Sequence, residues 1–441
     1  METQVIIVGA GPVGLTLAID LGRRGIACVL VEQKAEPQFL PKMERCNART
    51  MEIFRRLGLA DRIRAAGMPE DVAMDIQIIR SMVEPPILRL PYPSVAEARA
   101  LTRECHDGSL PLEPYQLISQ YTLEPLLLEV AEQLPMLTVI RNTTFLEFTE
   151  QDDGVLVAVN DEGVRRTLKG AYLVGCDGGA SRLRKQLGIR LEGEGDIARL
   201  RQGLFYCEQL YKRLLAWKLA ATLQGWGGPG LLASYETERR QIGERVVGAS
   251  RYASLGYRAW LAEVRPEIGD DTPAGSTARA HLADVANVEQ RKSNEMIGAE
   301  LGYRYVDSPV IDNVPGGPPH DLRAYLPTTW PGARLPHMWL TGSSAIQDRL
   351  RSERYTLIDV AGGHDAGPLL SAFEALGAPL DVLVVADSRL RAVYKRDLVL
   401  VRPDMHVAWR GDRLPQAVDD LAAKVTGHSN TNRASGSISS R

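Results

Sequence analysis

Gly9, Gly11 and Gly14 stand in a G-x-G-x-x-G spacing, and Glu32 closes the next apolar run. Residue types at this spacing suit the pyrophosphate of a dinucleotide. Gly9 permits a tight exit from a strand. Gly11 has no Cβ, so backbone N–H groups can approach phosphate oxygens, and Gly14 lets the next helix lie close to the strand. The helix N-terminus then presents free N–H groups and a favourable dipole to the anion. Glu32 is placed to accept hydrogen bonds from a ribose diol, and its charge argues against a ribose 2′-phosphate there. Ala10, Pro12, Val13 and Gln33 belong to the same two turns and complete this candidate set.

The elements that must hold these residues are legible around them. Val5 to Val8 reads as a buried strand, and Leu15 to Arg24 carries apolar residues at helical spacing. Ala27 to Val31 is a second buried strand, so Gln4–Gln33 is one β-α-β unit of dinucleotide-binding length. Lys42 to Leu59 reads as a helix whose basic start brings Arg45 and Arg49 together, and arginines beside a nucleotide fold can grip phosphates bidentately. Further on, Ala171 to Gly188 runs from a buried strand through Asp177–Gly178–Gly179 into a helix near Ser181. An acid at the end of a parallel strand lies where ligands bind in such sheets; capping the helix is the plainer use for it.

Between these landmarks, Met74–Met82 and Ile87–Tyr92 read as strands of a second sheet, and residues 116–134 as an amphipathic helix. Val139–Phe148 and Val155–Val159 alternate like an antiparallel pair, with Arg165–Leu168 as a third strand. Leu214–Gly225, Ser234–Arg245 and 277–300 read as helices, the second with surface arginines at 239, 240 and 245. The Pro/Gly-rich span 308–336 reads as a linker. Residues 337–428 start a new strand-helix rhythm, with strands at 337–341, 355–360 and 380–385 and a hairpin turning at Arg402–Asp404.

Composition narrows the function classes. The 441 residues are 44% hydrophobic and 24% charged with net charge −3, which argues against nucleic acid and anionic membranes as partners. No apolar run reaches transmembrane length and no leader is visible, so a cytoplasmic protein is expected. The five cysteines show neither C-x-x-C nor metal-ligand spacing, and the seven histidines are scattered, so no metal site and no catalytic histidine is expected.

A basic R-x-x-x-R-T-x-E segment (Arg45 to Glu52), a Q-x-x-L-E segment (Gln120 to Glu124) and a C-D-G-x-x-S-x-x-R turn (Cys176 to Arg184) follow the glycine motif in that order. With LGYRYVDSP, PTTWPGARLPHMWL and LVLVRPDMHVAWRG towards the end, the chain resembles the FAD-dependent aromatic hydroxylases, in their phenol and chlorophenol hydroxylase branch. The resemblance implies an α/β fold: a Rossmann-like FAD-binding domain, a β-rich substrate domain and a C-terminal thioredoxin-like domain. It implies FAD on Gly9, Gly11, Gly14 and Glu32. Arg45 or Arg49, and Gln120, would touch the phosphates or ribityl chain, and Asp177 with Gly178 would lie beside them. NAD(P)H is the implied co-substrate, O2 the oxidant and a phenolic ring the acceptor; a homodimer is a candidate assembly, and the sequence leaves the oligomeric state open.

One element of that family is missing. A Gly-Asp turn opening a helix should follow the Asp177 turn, and none of Gly195–Asp196, Gly269–Asp270 or Gly411–Asp412 suits it. Arg213 runs straight into Leu214, so an internal deletion at 213/214 is expected, with a truncated substrate domain. The expected layout is 1–213 FAD-binding with a remnant sheet, 214–307 helical, 308–336 linker, 337–429 thioredoxin-like without cysteine, and a disordered tail 430–441. Two functions compete: a phenol-hydroxylating monooxygenase, or a nucleotide-binding remnant of that lineage. An NAD-dependent dehydrogenase is a third, and no hydride-transfer base is found for it.

Overall fold

Four consecutive buried residues, Val5 to Val8, end strand β1 (Glu2–Val8) and set the centre of the main sheet. The computed structural model describes residues 1–37, 45–80, 84–190, 216–340 and 344–429. Pro12 opens helix α1 (Pro12–Arg23), where its fixed φ and missing N–H cost nothing. The chain returns in β2 (Cys28–Val31), parallel to β1.

Next come β3 (Arg45–Cys46), α2 (Ala48–Arg56), α3 (Ala60–Ala66), β4 (Ile76–Ile78), β5 (Leu88–Leu90) and α4 (Val95–Glu104). Then follow β6 (Gln116–Leu117), α5 (Gln120–Glu132), β7 (Leu137–Ile140), β8 (Thr143–Gln151), β9 (Gly154–Asp161), β10 (Val164–Gly175) and α6 (Arg182–Gln186). The expected helix from Lys42 is shorter: within the described residues it begins at Ala48, because the Asn47 side chain caps it by accepting the Thr50 N–H at 2.9 Å.

The main sheet has the order β7-β2-β1-β10-β9-β8, parallel from β7 to β10 and antiparallel beyond. The two strands read at 165–168 and 171–175 are one strand, β10. Its first half pairs antiparallel with β9 and its second half parallel with β1, so it joins the two parts of the sheet. Alternation on β1 serves both faces. Val5 and Ile7 join α1 and α5 in one core; Ile6 and Val8 join Phe145, Val157 and Val159 in another. Each such side chain contributes roughly 1.5–3 kcal/mol on burial.

Beyond residue 215 the chain forms α7 (Ala216–Leu223), α8 (Pro229–Leu261), α9 (Pro273–Glu289), α10 (Arg291–Asn294) and α11 (Ile297–Leu301). The span read as a helix over 234–245 is the middle of the 33-residue α8, and the one read over 277–300 is three separate pieces. β4 and β5 pair in a small sheet of their own and pack against Trp260, Leu282 and Ala286 of α8 and α9.

The C-terminal unit comprises β11 (Tyr355–Asp359), α12 (Gly367–Ala375), β12 (Leu380–Val384), α13 (Ser388–Tyr394), β13 (Leu398–Val401), β14 (Val407–Gly411) and α14 (Val418–Val425), with sheet order β12-β11-β13-β14. Of the strand expected at 337–341, the described residues 337–340 form none; Trp339 makes only an isolated bridge to Ala345. Residues 308–336 are not a free linker. Ile311, Thr329, Ala333, Arg334 and Leu335 are buried, and Arg334 bridges to His406. Trp217 and Ala221 of α7, Leu231 of α8 and Trp226 in the turn between them share one core with this unit, which ties it to the preceding helices.

The 213/214 junction, Gly195–Asp196 and the tail 430–441 lie outside the described residues.

Candidate active site: a dinucleotide cleft

The cleft opens at the C-terminal ends of β1, β2 and β10, where the connection from β1 leaves to one side and β10 lies on the other. Open α/β sheets bind ligands at such a switch point. Its volume is about 390 Å³, and its walls include Gly9, Ala10, Gly11, Pro12, Val13, Glu32, Gln33, Gln120, Asp177 and Gly178. Ten of the thirteen sequence-predicted positions therefore meet in one place. Gly14 lies beneath, and Arg45 and Arg49 are not among the lining residues.

The three glycines have three different reasons. Gly9 has φ +106°, and a Cβ there would sit 2.4 Å from the Cys176 carbonyl oxygen. A Cβ on Gly14 would sit 1.9 Å from the Gly9 carbonyl oxygen. Both are forced by backbone packing. A Cβ on Gly11 would meet only Glu124 Oε1, at 3.9 Å. Gly11 is therefore small for the sake of the space in front of it, at the N-cap of α1, whose first turn holds no acidic residue. That is the arrangement an anion requires.

Glu32 has a second task, unseen in the sequence. Its Oε2 accepts the Ala10 N–H at 2.7 Å and its Oε1 accepts the Lys34 N–H at 2.9 Å, so it pins the glycine turn to the end of β2. Asp177 Oδ2 accepts the Arg182 N–H at 2.8 Å, which secures the start of α6 while the carboxylate faces the cleft. Gln120, in the first turn of α5, donates to Glu124 Oε1 at 2.6 Å. Glu124 is buried against the Gly11 position; as a charged acceptor it suits a ligand hydroxyl better than a phosphate.

Several lining residues escaped the sequence reading. Lys34, Arg141 and Arg182 bring positive charge, while Val31, Leu128 and Phe145 supply an apolar wall for a flat base. Arg141 and Phe145 reach the cleft only because β7 and β8 fold back beside β2, and no local motif marks them.

Arg49 points elsewhere. It is buried, donates to the Asp404 carbonyl at 3.0 Å and stands 3.5 Å from Glu52. Arg45 lies on β3, donates to the Ser293 carbonyl at 3.4 Å and sits near Glu300. Burial raises the Glu300 carboxyl to about 7, although the Tyr115 hydroxyl donates to it. Of the arginines read as surface on α8, Arg245 instead donates to the carbonyls of Gly298 and Asp321. Cys28 is buried in β2, and burial pushes its thiol up to about 12.

The residues fit the adenosine diphosphate end of FAD: an open glycine at a helix N-terminus, an acid at the ribose position and an apolar wall. They fit the ring end less well. Among the described residues no Gly-Asp turn opens a helix beside the cleft. Gly269–Asp270 ends a short 3-10 turn, and Gly411–Asp412 ends β14, where Asp412 pairs with Arg391. No group of ligating side chains able to hold a metal ion is present among the described residues.

Fold and cleft define an α/β dinucleotide-binding protein. Residues 2–205 and 212–250 match the FAD binding domain family, and residues 328–428 match the aromatic-ring hydroxylase C-terminal family. The chain is similar to the FAD-dependent monooxygenase apdD of Emericella nidulans, at 26% identity over 96% of this chain and 90% of the relative. It is also similar to phenol 2-monooxygenase of a Pseudomonas species, at 24% identity over 94% and 90%. Among solved structures, the rebeccamycin biosynthetic enzyme RebC with reduced flavin superposes with a TM-score of 0.83 at 27% identity, over 97% of this chain and 99% of that one. The chain belongs to the FAD-dependent aromatic hydroxylases, and by that resemblance it is an enzyme. The first two alignments run over 569 and 555 positions, more than the 441 residues here, so both relatives carry segments without a counterpart in this chain. No helix among the described residues is long and apolar enough to cross a membrane.

Proposed function

We propose that this chain binds FAD in the Gly9–Gly178 cleft and, with NAD(P)H and O2, hydroxylates a phenolic ring. The observation that carries the reading is the open Cβ position at Gly11, facing the cleft from the N-cap of α1 with Glu32 at the end of the adjacent strand. FAD, when bound and reduced, supplies the oxygen activation. The chain's own residues hold and orient it. The first-turn N–H groups of α1 take the pyrophosphate, and Glu32 takes the ribose while pinning the turn. Gln120 and Glu124 present an amide and a carboxylate to ligand hydroxyls, and Asp177 and Gly178 close the far side. The names of the relatives support a phenol as substrate. The βαβαββα order of the C-terminal unit supports a thioredoxin-like reading, and its lack of cysteine leaves packing or dimer assembly as its task. The layout with a break at 213/214 is part of the same proposal.

The length of the alignments favours a second reading, in which the segment holding the flavin ring is absent and the chain is a catalytically impaired FAD-binding remnant. An exposed ring would lose the water exclusion that productive oxygen transfer needs. The expected outcome is a yellow protein that oxidises NAD(P)H to NAD(P)+ and passes the electrons mostly to O2, giving hydrogen peroxide. Hydroxylated product per NAD(P)H consumed, measured with simple phenols, checks it. A ratio near one would show an intact ring site and would rule out the deletion reading. A colourless protein with no flavin absorbance would overturn FAD binding itself.

A further inference from the structure

A second cleft, of about 830 Å³, lies between α2–α4 and the C-terminal unit, and it shares no lining residue with the dinucleotide cleft. Its lining holds more basic than acidic groups. Arg55, Arg99, Arg103, His106 and Arg389 line it against two acids, Glu113 and Asp387. Those acids are already matched: Glu113 pairs with Arg55 at 2.7 Å and Asp387 with Arg389 at 2.7 Å. Arg99 has only a 3.3 Å contact with the exposed Glu70, and Arg103 has no partner among the described residues. Arg99 and Arg103 are four apart on α4, so they share a face and repel each other. The helix C-terminus explains a cation at 103, but not a second one a turn earlier. An anion between them relieves the repulsion and is held by charge-assisted bonds.

Trp339 also lines the cleft, half-buried and docked on α4 itself. Its Nε1–H donates to the Thr102 carbonyl at 2.7 Å, and the His337 ring meets it edge-on at 4.8 Å. A fixed indole lining the same cleft as an arginine pair is suited to a flat ring joined to a phosphate.

We propose that this seam is a second ligand site, for a phosphate-bearing ring compound of the nucleotide class. A pyridine dinucleotide and a free mononucleotide both present that chemistry. The experiment is isothermal titration of the full chain with ADP, NADPH and inorganic phosphate, on wild type, Gly11→Val and the double variant Arg99→Ala/Arg103→Ala. Wild type is expected to take two ADP per chain. Gly11→Val should keep the seam equivalent, and the arginine variant should weaken that equivalent by about tenfold or more. Tighter NADPH than ADP at the retained site assigns a dinucleotide; equal affinity assigns a mononucleotide. Binding of phosphate alone, with no gain from the ring, overturns the role given to Trp339. A single ADP per wild-type chain, or two equivalents unaffected by the arginine changes in a protein with wild-type circular dichroism, overturns the site.

Discussion

At the scale of single residues, the glycine turn separates binding from folding. Gly11→Val introduces side-chain atoms into open space, so the protein should fold normally while ADP affinity falls on the order of a hundredfold or more. Gly14→Ala is the counterpart: its Cβ has nowhere to go against the Gly9 carbonyl, so thermal stability should fall first. Titration with ADP beside a melting curve for each variant checks both. Equal loss of stability in the two would show that Gly11 is also a packing residue. Glu32→Ala should weaken adenosine ligands by roughly 1–3 kcal/mol. Because Glu32 also holds the Ala10 and Lys34 N–H groups, we expect amide exchange of Ala10 to accelerate in the unliganded variant. Unchanged exchange at Ala10 would mean that water replaces the carboxylate without loosening the turn.

At the scale of elements, the packing of α7 and α8 against the β13–β14 hairpin turns on one buried carboxylate. Glu238 on α8 accepts from Arg402 at 2.6 and 3.1 Å, from Lys218 at 2.7 Å and from the Ser308 hydroxyl at 2.7 Å. Arg402 also pairs with Asp404 at 2.6 Å, so the four charges balance. Burial alone would raise the Glu238 carboxyl, but Arg402 and Lys218 outweigh it and hold it near 2. Burial wins for Lys218, which drops to about 8 despite Glu238. A carboxyl depressed from 4.5 to about 2 lends stability above pH 4.5 and withdraws it as pH falls towards 2. The amount is on the order of 3 kcal/mol. Glu238→Gln leaves two buried cations facing a single carboxylate, Asp404, and should destabilise the fold by about 3–5 kcal/mol at pH 7. Urea unfolding of both proteins at pH 7 and pH 3 tests this: the gap between them should narrow at the lower pH, and a constant gap would place the loss in packing rather than charge.

For the whole molecule, the C-terminal unit reads in the sequence as a module that could be removed while nucleotide binding survives. The structure argues otherwise. Arg49 on α2 donates to the Asp404 carbonyl, Glu238 pairs with Arg402, and Trp217, Trp226 and Leu231 lie in the same core as β11 and β13. Truncation before residue 337 removes Arg402 from Glu238, leaving Lys218 as its only cation among the described residues, and exposes that core. We therefore expect the truncated chain to be insoluble or unfolded, as gel filtration and circular dichroism would reveal. A folded, monomeric truncation that binds ADP would show that the seam is dispensable.

Local pattern was enough for β1, α1 and β2, because a buried strand, a helix N-terminus and three glycines each leave a short-range signature in residue type. It was enough for the acids at 32 and 177 too, since the end of a parallel strand is where their neighbours in sequence must put them. It failed wherever a charge found its partner far along the chain. Arg49 looks like a phosphate ligand by proximity in sequence, yet it is committed to Asp404, 355 residues away; Glu238 looks like one charge of a solvated helix, yet it meets Arg402 across 164 residues. The Pro/Gly-rich strap looks like a linker and is buried, because its backbone follows the hairpin rather than water. Periodicity and composition report the conformation and solvent preference of a segment, whereas which segment covers which is decided only when the cores close, and with it the pairing of every buried charge.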